Sequence, residues 1–282
     1  MKTNTLKAIV NIIKNNINNL EQYQNLHYKN RINNKGEALE NLIKNSLCNS
    51  YNSNDIEKIN LQNEYFSYLG NQNNPPDLII KNGDAFEIKK IESNEGNIQL
   101  NSSFPKNKLY RNSKMLTDAC KNCEDNWLEK DICYAIGCFN NKSQSIWFVY
   151  GDCYCAKPEV YAKIKNQITK SIEEIEIALT QTNEIAKVKK VDPLGITDLR
   201  VRGMWGIQHP SKVFSYITTK NSDHYIKAIM LESKFYSFDK NSRMELEKYC
   251  SIKKVKILDP NNPATLLDAI FIEYLFNDLK NV

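Results

Sequence analysis

A short hairpin pattern constrains the fold of this chain more than any other stretch. The runs Leu78–Ile80 and Ala85–Ile91 are β-prone, and the turn-forming residues 81–84 separate them. A double proline precedes the first run, which favours an extended start on an edge or bulged strand. We therefore expect two antiparallel strands joined by one tight turn.

The length of this turn decides which side chains share a face. Glu87 and Lys89 are two residues apart and project from one face of the second strand. A two-residue loop at Asn82 and Gly83 would place Asp77 on the opposite face. A three-residue loop, with Gly83 left-handed as a bulge, places Asp77 opposite Glu87. We predict the three-residue loop, because it alone assembles Asp77, Glu87 and Lys89 on one face.

These three side chains suit phosphodiester hydrolysis. The carboxylates of Asp77 and Glu87 suit a hard cation such as Mg²⁺, which prefers oxygen ligands and retains several waters. The ammonium of Lys89 can orient the attacking water or help to deprotonate it. The spacing looks like the signature of the PD-(D/E)xK nucleases. Surface strands also carry Glu-x-Lys as a solvated edge, so the pattern alone leaves an ordinary strand open.

Length and composition fit a globular protein. The chain has 282 residues, of which 41% are hydrophobic and 25% charged, enough for one large core or two modest ones. No apolar run approaches membrane-spanning length and the start lacks a secretory apolar segment, so we expect a cytoplasmic protein without membrane contact. The net charge of +5 permits a nucleic-acid partner without requiring one.

Hydrophobic periodicity indicates an α/β fold with a mixed central sheet flanked by helices. Helices are predicted at 5–20, 36–47, 113–123, 158–180 and 264–279. Strands besides the hairpin are predicted at 64–69, 131–139, 145–150, 213–219 and 225–231. The apolar stripe of helix 158–180 is most simply core, with a dimer contact as the alternative.

One helical carboxylate is a candidate supporter of the metal site. On the predicted helix 36–47, Glu40 lies at the border of the apolar face, whereas Glu37 points further out. The helix precedes the hairpin, so a border carboxylate can reach the metal or remain solvated. We favour Glu40 over Glu37.

Two polar segments are candidates for DNA contact. The first leaves the hairpin near the proposed metal, where short polar side chains can reach groove edges and lysines can meet phosphates. The second carries two of the chain's few arginines, which share a face in a strand and suit bidentate contact with guanine. An ordinary surface loop and a salt-bridge ladder are the respective structural alternatives. The candidates are Asn101, Ser102, Ser103, Lys106, Lys108, Arg200, Arg202, Trp205, Gln208 and His209.

Cysteine spacing raises the alternative of a zinc site. Cys120, Cys123, Cys133 and Cys138 have ligand-like spacing among the eight cysteines. Cys133 and Cys138 have opposite parity on one predicted strand, so their side chains would face opposite ways. We favour reduced, mostly buried thiols, with zinc as the alternative.

Several short motifs, taken together and in order, resemble the NgoPII-type type II restriction endonucleases over most of residues 28–265. They are Tyr68–Gly70 with Asn73–Asp77, Asn82–Ala85 with Glu87–Ser93, Leu100–Ser103 with Pro105–Lys106, Asp118–Lys121 and Val201–Ile207. The pattern departs from the family around Gln208–Pro210 and in the cysteines at 133 and 138. The first departure adjoins the candidate arginines.

The resemblance implies a fold, an activity and site residues. The fold is a PD-(D/E)xK nuclease core plus a C-terminal β-rich DNA-recognition region. The implied activity is Mg²⁺-dependent cleavage of both strands of a short palindrome, expected to be GGCC, leaving 5′-phosphate and 3′-hydroxyl ends. It is carried out by a homodimer whose functional partner is a cognate DNA methyltransferase. Asp77 and Glu87 would hold the metal, Lys89 would assist the attacking water, and Glu40 would support them.

We accordingly expect one restriction endonuclease domain over residues 1–282. Residues 1–156 would contain the N-terminal helices and the catalytic core, and residues 157–282 a helical and β-hairpin region for recognition and dimerisation. Two alternatives remain: a structure-specific or repair nuclease on the same core, and a DNA-binding module without catalysis.

Overall fold

One large mixed β-sheet organises the chain. The computed structural model describes residues 2–15, 34–71, 74–93, 96–100, 103–140, 143–173, 186–188, 199–201, 203–218 and 222–276. The helices are α1 Thr5–Lys14, α2 Asn34–Cys48, α3 Asp55–Tyr65, α4 Asp118–Lys121, α5 Gly151–Tyr154, α6 Pro158–Glu173, α7 Pro210–Val213, α8 Glu232–Ser237 and α9 Lys240–Glu247. The strands are β1 Phe66–Asn71, β2 Asn74–Ile80, β3 Ala85–Ile91, β4 Ile98–Gln99, β5 Lys108–Tyr110, β6 Glu129–Asn140, β7 Ser143–Tyr150, β8 Ala186–Val188, β9 Leu199–Val201, β10 Gly206–Ile207, β11 His224–Leu231, β12 Ser251–Asp259 and β13 Asn262–Leu275.

The large sheet has the strand order β1-β2-β3-β6-β7-β11-β13-β12, with β5 paired to β6 beside this path. The pairs β3/β6 and β7/β11 are parallel, and the other neighbours are antiparallel. The predicted α/β fold with a mixed central sheet is confirmed. Two small sheets, β4/β10 and β8/β9, lie outside it.

Side chains alternate along the strands and create two hydrophobic cores, one on each face of the sheet. The first contains the apolar faces of α1 and α2, with Leu39 and Leu42 packed among residues such as Phe86 and Cys133. The second contains Trp147, Tyr134 and Cys138. Cys133 and Cys138 thus lie on opposite faces, as their parity predicts. All eight cysteines are free thiols.

The C-terminal helix predicted at 264–279 is wrong. Residues 262–275 form the long strand β13, which pairs with β11 on one side and β12 on the other. Its buried stretch Ala269–Ile272 is apolar on both faces. A continuous apolar run fits a central strand as well as a buried helix, so periodicity could not distinguish them.

The strand predicted at 213–219, and the hairpin with 225–231, are also wrong. Residues 210–213 form α7, with Pro210 in its first turn, and turn residues follow to Ile217. Proline is pre-organised for the first turn of a helix, and this signal outweighs the β-propensity of the residues that follow. The partner strand at 225–231 is present as β11.

Two helical predictions need correction, and one helix was not predicted. The helix predicted at 113–123 is reduced to α4 with turns around it. Helix α3, which the sequence reading missed, has no fully buried residue and therefore a weak hydrophobic signal. The apolar stripe of α6 is not core, because Val160, Ile164 and Ile168 are 52%, 47% and 43% exposed. Residues 16–20 and 174–180 of the predicted helices lie outside the described residues.

None of the helices in the described ranges combines the length and apolar character that a membrane span needs.

Candidate active site

The β2–β3 hairpin has the predicted register. Leu78 pairs with Phe86 and Ile79 with Ala85. The Ile80 N–H donates to the carbonyl of Asp84 at 3.0 Å, which closes a three-residue loop at 81–83. Within this loop Asn82 is left-handed, with a φ of 54°, which asparagine tolerates. The left-handed conformation of Gly83 stays a prediction.

Asp77 lies just beyond the last paired residues of the hairpin. Its Oδ2 accepts a hydrogen bond from the Ile88 backbone N–H at 2.5 Å. On the other side, β1 packs so closely that a Cβ on Gly70 would lie 2.2 Å from the carbonyl oxygen of Pro76. The Pro76–Asp77 backbone is therefore fixed between β1 and β3, and the carboxylate is anchored to β3.

Glu87 and Lys89 project from β3 on the face predicted for them. Lys89 Nζ lies 2.7 Å from Glu87 Oε1, and the two side chains are 24% and 10% exposed. Glu87 Oε2 is buried and accepts no hydrogen bond from any residue that the structure describes. A buried carboxylate oxygen without a donor is costly unless a ligand satisfies it. This oxygen is therefore available for a cation.

Electrostatics couple the three groups. Burial raises the pKa of Asp77 to about 7; the Glu87 carboxylate also raises it, while Lys89 and the Ile88 N–H oppose the shift. Burial alone would lower the pKa of Lys89, but the Glu87 and Asp77 carboxylates outweigh it, so its pKa lies above the ordinary value. Lys89 therefore remains an ammonium, and the carboxylate pair lies in a site where a further cation is stabilised.

Glu40 lies near this cluster without joining its hydrogen bonds. Its charge raises the pKa values of both Asp77 and Lys89. Its own carboxylate is 2.5 Å from Lys44 Nζ, one helical turn away on α2. Glu37 is exposed. The structure thus places the favoured residue, Glu40, within electrostatic range of the site, already paired with a lysine.

The donor set fits a hard divalent cation. In the residues that the structure covers, no three His, Cys, Asp or Glu side chains converge as a ligand group. The site is therefore a carboxylate pair, with Glu87 Oε2 free to coordinate. Mg²⁺ is commonly bound through one or two carboxylates and retains waters for the rest of its shell.

The segment after the hairpin also approaches the site. Lys106 is buried, and its charge interacts with those of Glu87, Lys89 and Asp77. Lys106 Nζ donates a hydrogen bond to Ser103 Oγ. The candidate Ser103 and Lys106 are thus brought to the carboxylates.

Comparison with known proteins identifies the family. A family model described as NgoPII restriction endonuclease matches residues 3–261. The chain belongs to the NgoPII restriction endonuclease family. The type II restriction enzyme NgoPII of Neisseria gonorrhoeae is 43% identical over 278 residues, which cover 96% of this chain and 99% of that enzyme. No solved structure matches the chain.

In this NgoPII-family chain, Trp205 lies beside the segment that carries Lys106. The Leu100 N–H donates to the Trp205 carbonyl at 2.8 Å, which extends the β4/β10 pairing. The Trp205 ring packs edge-on against Phe104 and Tyr161, at centroid distances of 6.4 and 5.6 Å. Gln208 is exposed, and its carbonyl accepts a hydrogen bond from the Tyr154 hydroxyl.

His209 has a structural position. Its side chain is 1% exposed, and its Nδ1 accepts a hydrogen bond from the Ser211 N–H at the start of α7. Burial lowers its pKa to about 4, so it is neutral at physiological pH. We therefore assign His209 to capping of α7 instead of the predicted DNA contact.

Two of the remaining candidates lie on described strands. Lys108 is paired with Glu129 at 2.6 Å and Asp131 at 3.6 Å. Arg200 lies in β9, opposite Lys187 of β8. Asn101, Ser102 and Arg202 lie outside the described residues.

Sequence reasoning missed Tyr134. It pairs with Glu87 in the parallel β3/β6 register, and its hydroxyl bonds both the N–H and the carbonyl of Lys106, at 2.7 and 3.2 Å. It therefore links the strand carrying Glu87 to the segment carrying Lys106. Parity along the predicted strand 131–139 gives its face, but no local motif indicates its partner.

Proposed function

We propose that this chain is a type II restriction endonuclease that hydrolyses double-stranded DNA at a specific site with Mg²⁺. Family membership supports the class of activity. The observation that carries the chemistry is the buried cluster of Asp77, Glu87 and Lys89, with Glu87 Oε2 lacking a donor in the described structure. This cluster corresponds to the PD-(D/E)xK arrangement that we propose for the nuclease core.

Each residue of the cluster has a distinct proposed role. Asp77 and Glu87 would hold the cation, and Glu40 would contribute negative charge from α2. The bound metal would lower the pKa of the attacking water and neutralise the developing charge on the phosphate. Lys89, kept charged by its carboxylate neighbours, would orient the water through its ammonium protons. In-line attack on phosphorus would leave a 5′-phosphate and a 3′-hydroxyl.

For recognition we propose a short palindrome, GGCC. Arg200 and Arg202 would each donate two hydrogen bonds to a guanine, because the guanidinium fork matches the O6 and N7 acceptors. The segment with Asn101, Ser102 and Ser103 would reach the groove beside the cut site. Trp205, Gln208 and Lys108 remain candidate contacts with groove or backbone.

The proposed assembly follows from the symmetry of the DNA sequence that is cut. A palindrome presents two identical strands, so we propose a homodimer with one active site for each strand. One domain would span residues 1–282, with the core in 1–156 and recognition and dimerisation in 157–282. A cognate methyltransferase would protect host DNA, and both enzymes would act in the cytoplasm.

Incubation of a plasmid of known sequence with the purified protein and Mg²⁺ tests this function. Discrete fragments with identical ends at GGCC, mapped on a sequencing ladder, are expected. A smear or nicked circles would instead support a nuclease that reads DNA shape. Sequence-specific binding without cleavage in Mg²⁺ would reject the catalytic proposal.

A further inference from the structure

A second lysine lies beside the proposed catalytic cluster, on a different element from Lys89. Lys106 is only 8% exposed although it follows a polar segment. Its charge interacts with those of Glu87, Lys89 and Asp77. A lysine that interacts with all three members of the cluster borders the same space.

The backbone of Lys106 is held at two points. The Tyr134 hydroxyl accepts a hydrogen bond from the Lys106 N–H at 2.7 Å and donates one to the Lys106 carbonyl at 3.2 Å. On the other side, Gly151 packs so closely that a Cβ there would lie 2.4 Å from the Lys106 carbonyl and 2.5 Å from that of Asn107. Because Tyr134 also pairs with Glu87, the anchor of Lys106 is built on the strand next to the carboxylates.

The Lys106 ammonium is incompletely satisfied within the described part of the chain. Its Nζ donates to Ser103 Oγ, a neutral hydroxyl, and forms no ion pair with a described residue within 4.0 Å. An ammonium has three donors, so two remain for another acceptor. Burial lowers the pKa of Lys106, although Glu87 opposes the shift. A buried cation without an anion is costly, which makes this position one that a bound anion would stabilise.

We propose that Lys106 is a catalytic residue that donates to a non-bridging oxygen of the scissile phosphate, with Ser103 orienting its ammonium. This rests on the proposed nuclease function and changes the role of Lys106 from a general DNA contact to a contact at the reacting group. The anion must lie next to Asp77 and Glu87, because the cation they bind would share the same phosphate. Lys106 would then offset the charge that develops on the phosphate oxygens during attack.

Replacement of Lys106 by methionine tests the assignment, because methionine has similar length without charge. Single-turnover cleavage in Mg²⁺ at saturating enzyme should fall by about 10²-fold or more, as for loss of an oxyanion donor. The melting temperature should stay the same or rise, because a buried unpaired charge is removed. Lys106→Arg keeps the charge and should cleave faster than Lys106→Met. Lys114→Ala, an exposed lysine of the following turn, is the control and should cleave at the wild-type rate.

A binding measurement locates the contact independently of turnover. The probe is a duplex containing the mapped cut site, bound in Ca²⁺, with either an ordinary phosphate or a neutral methylphosphonate at the scissile position. If Lys106→Met binds the ordinary duplex more weakly than the wild type does, the two proteins should bind the methylphosphonate duplex with equal affinity. An equal loss on both duplexes, a wild-type single-turnover rate, or a lowered melting temperature would overturn the proposal. Failure of the wild-type protein to cleave any DNA would instead reject the nuclease function.

Discussion

The Asp77 carboxylate accepts a hydrogen bond from the backbone N–H of Ile88 at 2.5 Å. In a continued strand pairing, a main-chain oxygen would accept this hydrogen bond instead. One carboxylate oxygen therefore anchors β2 to β3 immediately next to Glu87. The same contact fixes the distance between the two acidic residues, which come from different strands. Register, loop length and a single side-chain hydrogen bond together create the proposed metal site.

Neutralisation of the carboxylates should abolish cleavage while leaving the fold intact. Asp77→Asn retains an oxygen for the Ile88 N–H, and Glu87→Gln retains the shape of the side chain. We expect each to reduce cleavage by roughly 10³-fold or more, because a bound metal supplies several kcal/mol of charge stabilisation and each 1.36 kcal/mol is tenfold. Excess EDTA should stop wild-type cleavage, and added Mg²⁺ should restore it. Binding of specific duplex in Ca²⁺-free buffer should persist in both variants; its loss would indicate misfolding.

A buried ion-pair network at the other end of β3 should be important for stability. Lys234 Nζ lies 2.6 Å from Asp84 and 2.8 Å from Asp131, and the Tyr150 hydroxyl donates to Asp84 at 2.6 Å. Lys234→Met leaves the Asp84 carboxylate buried without its cation, which should lower the unfolding free energy by about 3–5 kcal/mol.

The matched control for Lys234 is Lys254, which pairs with Glu232 on the surface. Lys254→Met should change the unfolding free energy far less than Lys234→Met does, because exposed pairs contribute little. Urea unfolding at pH 7.5 measures both variants. Equal effects would contradict the structural position of Lys234.

The close approach at Gly151 predicts a second stability contrast. An alanine Cβ there would meet two backbone carbonyls, which cannot move away as a flexible side chain can. Gly151→Ala should therefore lower the unfolding free energy by about 1–3 kcal/mol, as overpacked sites do. At Gly206 the nearest atom is 3.6 Å from the added Cβ, so Gly206→Ala should leave the packing unchanged. Thermal and urea unfolding distinguish the two variants.

Buried His209 should make the protein less stable in acid. Burial lowers its pKa from the ordinary 6.5 to about 4, so the folded protein keeps it neutral while the unfolded chain protonates it. The unfolding free energy should therefore be highest above pH 6.5 and fall as the pH decreases towards 4. The loss due to His209 is up to about 3 kcal/mol, from 1.36 kcal/mol per pKa unit.

His209→Asn isolates this contribution, because asparagine can still cap α7 but does not titrate. Between pH 7 and 4 the variant should lose less unfolding free energy than the wild type. Parallel curves for wild type and His209→Asn would contradict the assigned role of His209.

The part of the site that the sequence predicts is local. Period-two alternation and the length of one turn determine the faces of Asp77, Glu87 and Lys89, and both can be read from a single hairpin. The environment of Lys106 depends on contacts with Tyr134 and Gly151, which are distant in sequence. Its burial therefore could not be inferred from a segment that reads as polar and basic.

The predictions of secondary structure were wrong where the local sequence patterns conflicted or were weak. The apolar run in β13 lacks a helical or strand period, and only its pairing with β11 and β12 makes it a strand. Helix α3 has little apolar face, but Asn54 and Glu57 form a capping box that marks its start. That short polar signal was available in the sequence. The start of this helix is therefore predictable from its capping residues, although not from hydrophobic periodicity.

The central claim is that Asp77 and Glu87 together hold a divalent cation. Anomalous diffraction from crystals soaked in Mn²⁺, with Glu87→Gln crystals as control, tests it most directly. A peak within coordination distance of both Asp77 and Glu87 Oε2, absent from the variant, is the predicted result. A wild-type map with no peak between these residues, or an equal peak in Glu87→Gln, would contradict it.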